Sequence, residues 1–190
     1  QRSKLNIKNQ IKKNKLKFPL VFKPTNEGSS IGVLICKKYD QLIEIIRRNK
    51  KYKDVMIEQY VPGQEIQVAV MGNKPLGAIE LRPKRKFYDY KAKYSKSAKT
   101  QHIMPAPISK KKYIEVLKIA KKAHKKIGCR GITRSDFRFY KNKFYLLEIN
   151  TQPGMTALSL VPEIARFKKI SFEDLVEWMA KDSSINRWKK

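Results

Sequence analysis

Hydrophobic and polar positions alternate most clearly from Glu65 to Met71, predicting a strand, and Gly72-Asn73 supplies a turn into a return strand over Pro75–Leu81. A second alternating pair flanks Asn142 and predicts a hairpin within 130–156. Its far strand puts Tyr145, Leu147 and Ile149 on one face, expected to be the apolar one. Tyr113, Leu117, Ala120 and Ile127 recur at helical spacing over 109–127, with Gly128 as the stop. Tyr39, Leu42, Ile43 and Ile46 predict a second helix over 39–49. Short strands are expected over Pro19–Lys23, Ile31–Cys36 and Val55–Gln59, and one or two short helices over 160–181. Residues 1–17 carry Leu5, Ile7, Ile11 and Leu16 at irregular spacing and predict no helix. Residues 83–105 read as one long loop, and the tail from Asp182 as a frayed end.

The hairpin is polar on the face where a core would need apolar groups. Arg134 and Asp136 are two apart on one strand, and Glu148 and Asn150 are two apart on the other. A hairpin centred on Asn142 sets 134 against 150 and 136 against 148. Two carboxylates then face each other at roughly 5 Å between Cβ atoms, which is destabilising unless a positive charge lies between them. Asp, Glu and Asn oxygens suit a hard cation such as Mg²⁺, which is commonly shared with substrate phosphates. The competing explanation is an exposed face with solvated carboxylates. The grouping of four ligand-type side chains opposite an apolar face favours the cation.

Composition changes this picture little. The 190 residues suffice for one domain with a full core or two small lobes, and the hydrophobic content of 41% is ordinary. No apolar run reaches the roughly 18 residues of a membrane span. No signal peptide is recognisable, and a start at Gln1 rather than Met suggests a missing beginning. Cys36 and Cys129 lie far apart and read as free thiols in a reducing compartment. The 44 Lys and Arg against 16 Asp and Glu give a net charge of +28. Nucleic-acid binding would explain such a charge. The lysines are spread through nearly every segment and accompany no nucleic-acid motif, so a compositional drift that loads all solvent faces explains it better. Weak, salt-dependent polyanion binding is still expected.

Three further segments suggest chemistry. In EGSSIG, residues 27–32, Gly28 and Gly32 let the backbone approach an anion, and Ser29 and Ser30 add hydroxyl donors; Lys23 lies just before. The segment lacks the Gly-Lys-Ser/Thr ending of a Walker A loop. In IEQYVPGQE, residues 57–65, Glu58 and Glu65 could receive an adenine amino group and ribose hydroxyls, although an ordinary exposed turn explains the same residues. In FYDYKAKY, residues 87–94, four aromatics and two lysines fit either a lid over a ligand or a small core beneath a long loop. His102 has no partner at metal spacing. Nor has His124, which lies among lysines and is expected to be solvated.

Taken in order, KPTNEGSSIG, IEQYVPGQE, FYDYKAKY, GCRGITRSDF and LLEINTQPGMTALSLVP resemble the D-alanine–D-alanine ligases of the ATP-grasp superfamily, from about Pro19 to the helix near Lys181. The resemblance implies an α+β ATP-grasp fold of two lobes with mainly antiparallel sheets and the nucleotide between them. It implies a partial central lobe over 1–57, a C-terminal lobe over 58–182, a polar tail over 183–190, and a missing N-terminal substrate domain. It implies that Lys23 and Lys93 contact phosphates and that Ser29 and Ser30 cover them. Glu58, with the backbone of Gln59 and Val61, would read adenine; Phe87 would pack on it and Glu65 would bind ribose. Relatives commonly carry Lys where this chain has Gln59. Asp136, Glu148 and Asn150 would hold two Mg²⁺ or Mn²⁺ ions. Arg134 and the backbone of Gly154 would stabilise charge at the reacting carboxyl carbon. Tyr94, Ser29, Ser159 and Leu160 would shape the second amino-acid site.

The implied reaction is ATP-dependent joining of two D-alanines through an acyl phosphate, for peptidoglycan precursor synthesis in the cytoplasm. The expected partners are ATP and D-alanine, with no specific nucleic acid and no membrane, and the full-length protein a homodimer. This chain alone is expected to be inactive. The alternatives are another ATP-grasp carboxylate–amine ligase and, from a different class, a basic nucleic-acid-binding module. Magnesium-dependent nucleotide binding separates them.

Overall fold

The computed structural model describes residues 7–28, 30–83, 100–156 and 159–183. The chain divides into two compact units, with a boundary between Val61 and Pro62.

The first unit contains α1 (Ile7–Lys13), β1 (Leu20–Pro24), β2 (Leu34–Cys36), α2 (Tyr39–Arg48) and β3 (Val55–Gln59). Its antiparallel sheet has the order β2-β1-β3. β3 is bonded along its whole length to β1. Leu20 and Phe22 point to one side of β1 and close a core with Cys36 and Leu42. Burying each such large side chain contributes roughly 1.5–3 kcal/mol. Ile7, Ile11 and Leu16 pack against this core. The irregular spacing at the start of the chain therefore conceals a real helix, α1, which needs only one turn-spaced pair because it is short. Cys36 and Cys129 are both free thiols, as expected. Burial pushes both above the ordinary thiol range, with a bond to the Phe22 backbone a smaller opposing effect at Cys36, so neither is an activated thiolate.

The second unit contains β4 (Gln64–Met71), β5 (Lys74–Arg82), β6 (Gln101–Ile103), α3 (Lys110–Lys126), β7 (Ile132–Tyr140), β8 (Lys143–Asn150), α4 (Leu160–Phe167) and α5 (Phe172–Asp182). The strands form one antiparallel sheet of order β6-β5-β4-β7-β8. Part of the expected long loop is thus the short edge strand β6. Ser109 starts α3 by accepting a hydrogen bond from the Lys112 N–H at 3.4 Å, and Gly128, at a φ of 70°, lets the chain leave it. Val116 and Ala120 of α3 lie on Ile66, Val68 and Val70 of β4, Ala78 of β5 and Phe137 of β7. Since successive strand residues alternate in direction, Glu65, Gln67 and Ala69 are turned to the opposite face from α3.

His124 departs from expectation. It is 2% exposed on the inner side of α3, and its Nδ1 lies 2.8 Å from the Thr133 Oγ1 on β7. The lysines around it in sequence belong to the outer side of the helix. Burial lowers its pKa from the ordinary 6.5.

Candidate functional site

The face of the second sheet opposite α3 carries a grid of polar side chains set by strand register. Gln67, Asp136 and Glu148 form one row across β4, β7 and β8. Ala69, Arg134 and Asn150 form the next, and Glu65, Arg138 and Tyr145 the third. The facing pairs 134↔150 and 136↔148 are those expected from the sequence.

They arise differently than expected. The turn holds only Lys141 and Asn142, both at positive φ (46° and 63°), so Tyr140 pairs with Lys143 and Phe137 with Leu146. Continued without interruption, that register would set Asp136 against Leu147. A β-bulge between Asp136 and Phe137 makes Leu147 the extra residue and brings Glu148 into line. The bulge also breaks the alternation expected for Tyr145, Leu147 and Ile149. Tyr145 now shares the polar face with Arg138, and Tyr145, Leu146 and Leu147 are 38%, 41% and 43% exposed on the edge strand.

Asp136 is 7% exposed, and the charge beside it comes from its own strand. Arg134 Nε and Nη2 donate to its Oδ1 and Oδ2 at 2.8 and 3.0 Å, a bidentate clamp. Asn150 Oδ1 accepts from the Gln152 N–H at 3.0 Å, which fixes the chain as it leaves β8. Glu148 is exposed. Among the described residues no three His, Cys, Asp or Glu side chains cluster as metal ligands, since the third oxygen donor here is the amide of Asn150. The donor set still fits a hard divalent ion: two facing carboxylates and an amide oxygen, with a buried amide oxygen of Gln67 in the same row that accepts no hydrogen bond among the described residues. Gln67 is not singled out by the sequence pattern, because only the pairing of β4 with β7 brings it beside Asp136; Arg138 shares the face of Asp136 by alternation along β7, and the same pairing supplies its partner Glu65.

Glu65, expected at a ribose, lies with its Oε2 3.0 Å from Arg138 Nη2, and Arg138 also donates to the Gly63 carbonyl at 3.2 Å. Gly154 lies beside Ser159; a Cβ there would come within 2.8 Å of the Ser159 Oγ. That hydroxyl also accepts from the Thr156 N–H at 3.0 Å. Ser159 and Leu160 stand at the start of α4, with Leu160 buried.

In the first unit, Lys23 and Glu58 share the face of β1 and β3 turned away from the core, since Val21 faces Glu58 and Lys23 faces Met56. Ser30 takes a φ of 62° in a loop closed by bonds from Ile31 N–H to the Gly28 carbonyl and from Val33 N–H to the Ser30 carbonyl. The Gln59 side chain is committed elsewhere. It donates to the Lys17 and Pro19 carbonyls at 2.8 and 3.2 Å and accepts from the Lys17 N–H at 2.9 Å. Gln59 therefore ties down the segment before β1. Val61 stands at the boundary between the units. Ser29, Phe87, Lys93 and Tyr94 lie outside the described residues.

Residues 1–181 match the family model described as "D-ala D-ala ligase C-terminus". The chain belongs to this family. A D-alanine–D-alanine ligase of Pelagibacter ubique (strain HTCC1062) is 59% identical over 187 residues, covering 98% of this chain and 61% of that protein. The D-alanine–D-alanine ligase of Bacillus anthracis solved in complex with ATP superposes with a TM-score of 0.78 at 30% identity, covering 96% of this chain and 58% of that one. The VanG D-Ala:D-Ser ligase of Enterococcus faecalis superposes with a TM-score of 0.80 at 26% identity, covering 94% and 53%. The chain thus spans little more than half the length of the relatives it matches. The expected α+β ATP-grasp fold of the ligase C-terminus is the one it adopts. Among the described residues, no helix of this family member is long and apolar enough to cross a membrane.

Proposed function

We propose that this chain is the nucleotide- and metal-binding part of an ATP-dependent ligase that joins two D-alanines through an acyl phosphate. The observation that carries this reading is the register that sets Asp136 against Glu148 and Arg134 against Asn150, on a chain 59% identical to a named D-alanine–D-alanine ligase. Asp136, Glu148 and Asn150 would hold Mg²⁺, which supplies charge neutralisation at the transferred phosphoryl group. Arg134, already aligned beside Asp136, would lower the cost of charge developing at the reacting carboxyl carbon, together with the Gly154 backbone.

The remaining assignments follow the family resemblance. Lys23, Ser29, Ser30 and Lys93 would meet the phosphates. Glu58, the backbone of Gln59 and Val61, and Phe87 would meet adenine, and Glu65 the ribose. Glu65 would do so while Arg138 holds its carboxylate in place. Tyr94, Ser159 and Leu160 would border the acceptor amino acid. The first unit corresponds to part of the central lobe and the second to the C-terminal lobe. A cytoplasmic, homodimeric full-length enzyme serving peptidoglycan synthesis rests on the resemblance alone.

The test is Glu148→Gln in the full-length enzyme, read as D-alanine-dependent phosphate release from ATP. Phosphoryl transfer should be abolished while the circular dichroism spectrum is retained, because the substitution removes a charge that repels Asp136. Near-normal turnover would overturn the assignment.

A further inference from the structure

Gln67 has an environment that the fold alone does not explain. It lies on β4 between Ile79 of β5 and Asp136 of β7, in the row that ends at Glu148. It is 1% exposed, and its Oε1 accepts no hydrogen bond among the described residues. An amide oxygen taken out of water without a donor is unfavourable, and an aliphatic side chain would fill the same space without that penalty. The polar neighbour of Gln67 across the strands is Asp136, so a group that donates hydrogen bonds and sits beside Asp136 would use the oxygen.

A hydrated divalent ion meets both conditions. Mg²⁺ gives up its waters reluctantly, so an ion held by one or two carboxylates retains several, and each retained water is a hydrogen-bond donor. Carboxylates of the site accept such bonds, and a neutral amide oxygen adds a further acceptor without the repulsion of a third carboxylate. Cross-strand neighbours on one face stand roughly 5 Å apart at Cβ, within the reach of a glutamine side chain. We propose that Gln67 is a positioning residue for the cation bound at Asp136 and Glu148, its buried Oε1 accepting a hydrogen bond from one of the ion's waters. This rests on the reading of that pair as a cation site.

The experiment titrates Mn²⁺ into the chain saturated with a non-hydrolysable ATP analogue and follows the free ion by electron paramagnetic resonance. Wild type, Gln67→Leu and Glu148→Gln are compared, and the melting temperature of each is taken without metal. Gln67→Leu should bind Mn²⁺ about 10-fold more weakly, the lower range for an outer-shell partner. Its metal-free melting temperature should be equal or higher, because an unpaired buried oxygen is gone. Wild type that binds Mn²⁺ more tightly than Glu148→Gln but no more tightly than Gln67→Leu would overturn the role of Gln67 alone. Wild type that binds no better than Glu148→Gln would overturn the cation site and the inference with it. Should the branched leucine lower the melting temperature, Gln67→Met, unbranched and of similar length, decides: weakened Mn²⁺ binding supports the role, and unchanged binding overturns it.

Discussion

At the scale of single residues, direction and burial decide which polar groups reach the candidate site and which only hold the fold. Arg134 and Asp136 alternate onto one face and meet as a bidentate pair. Thr133 and Ser135 alternate onto the other and are buried under α3. His124 shows the same rule in a helix, and it makes stability depend on pH. Its folded-state pKa is below 6.5, so in the window between the two values the unfolded chain binds more protons than the folded one. Stability is then complete above about 6.5 and falls as pH drops through that window, levelling off below the folded value. His124→Gln, which keeps a hydrogen-bonding group but no titration there, should flatten this part of the stability-against-pH curve in urea melts. A curve as steep as wild type would place the transition in other groups.

At the scale of elements, two turns carry geometry that side chains tolerate poorly. Gly63, at a φ of 104°, immediately precedes the strand that carries Glu65; a Cβ there would stand 2.2 Å from the Phe139 carbonyl oxygen. That oxygen belongs to β7, which cannot withdraw without losing its pairing to β4. Gly63→Ala should therefore destabilise the second unit by at least the roughly 1–3 kcal/mol of a strained backbone site, measurable as a lower denaturation midpoint. The opposite change is available at Lys141-Asn142, where both residues have positive φ in a two-residue hairpin turn. Replacing the pair by Asn-Gly, the preferred sequence for that turn, should raise stability by about 1 kcal/mol. The bulge at Leu147, not the turn's residue types, brings Glu148 into line with Asp136, so the Mn²⁺ binding proposed for this pair should not change. A weakened affinity for Mn²⁺ in that variant would show that turn and register are coupled.

At the scale of the whole molecule, the net charge of +28 acts separately from the site. Part of that charge, Lys118, Lys121, Lys122, Lys125 and Lys126, lines one outer groove of α3, on the side of the second sheet away from Asp136 and Glu148. Such a surface binds polyanions by releasing their counterions, without reading a sequence. Retention of the chain on DNA of any sequence should fall steeply with added salt. On the proposed function, ATP with Mg²⁺ is held by placed ligands, and its binding should persist at salt concentrations that release the DNA. Loss of both at the same salt concentration would mean that ATP is held by nothing more than bulk charge.

The sequence by itself determined the strands and helices with strong periodicity, the two-residue spacing of Arg134 with Asp136 and of Glu148 with Asn150, and the motif order that places the chain in its family. These are local properties: the period of a strand or helix is written in neighbouring residues, and so is the spacing of groups along one strand. Helix α1 escaped because a helix this short shows too few turns for its period to register. Tertiary structure alone decided three further matters: that the expected facing of Asp136 and Glu148 is reached through a bulge at Leu147, that Gln67 and Glu65 of β4 stand beside Asp136 and Arg138, and that His124 is enclosed. The bulge depends on where a hairpin's pairing slips, and the other two on pairing between segments far apart in the chain or on which side of an element the core lies. Strand pairing joins β4 to β7 across the whole of α3, and no pattern within either strand encodes which residue of the other will stand opposite it.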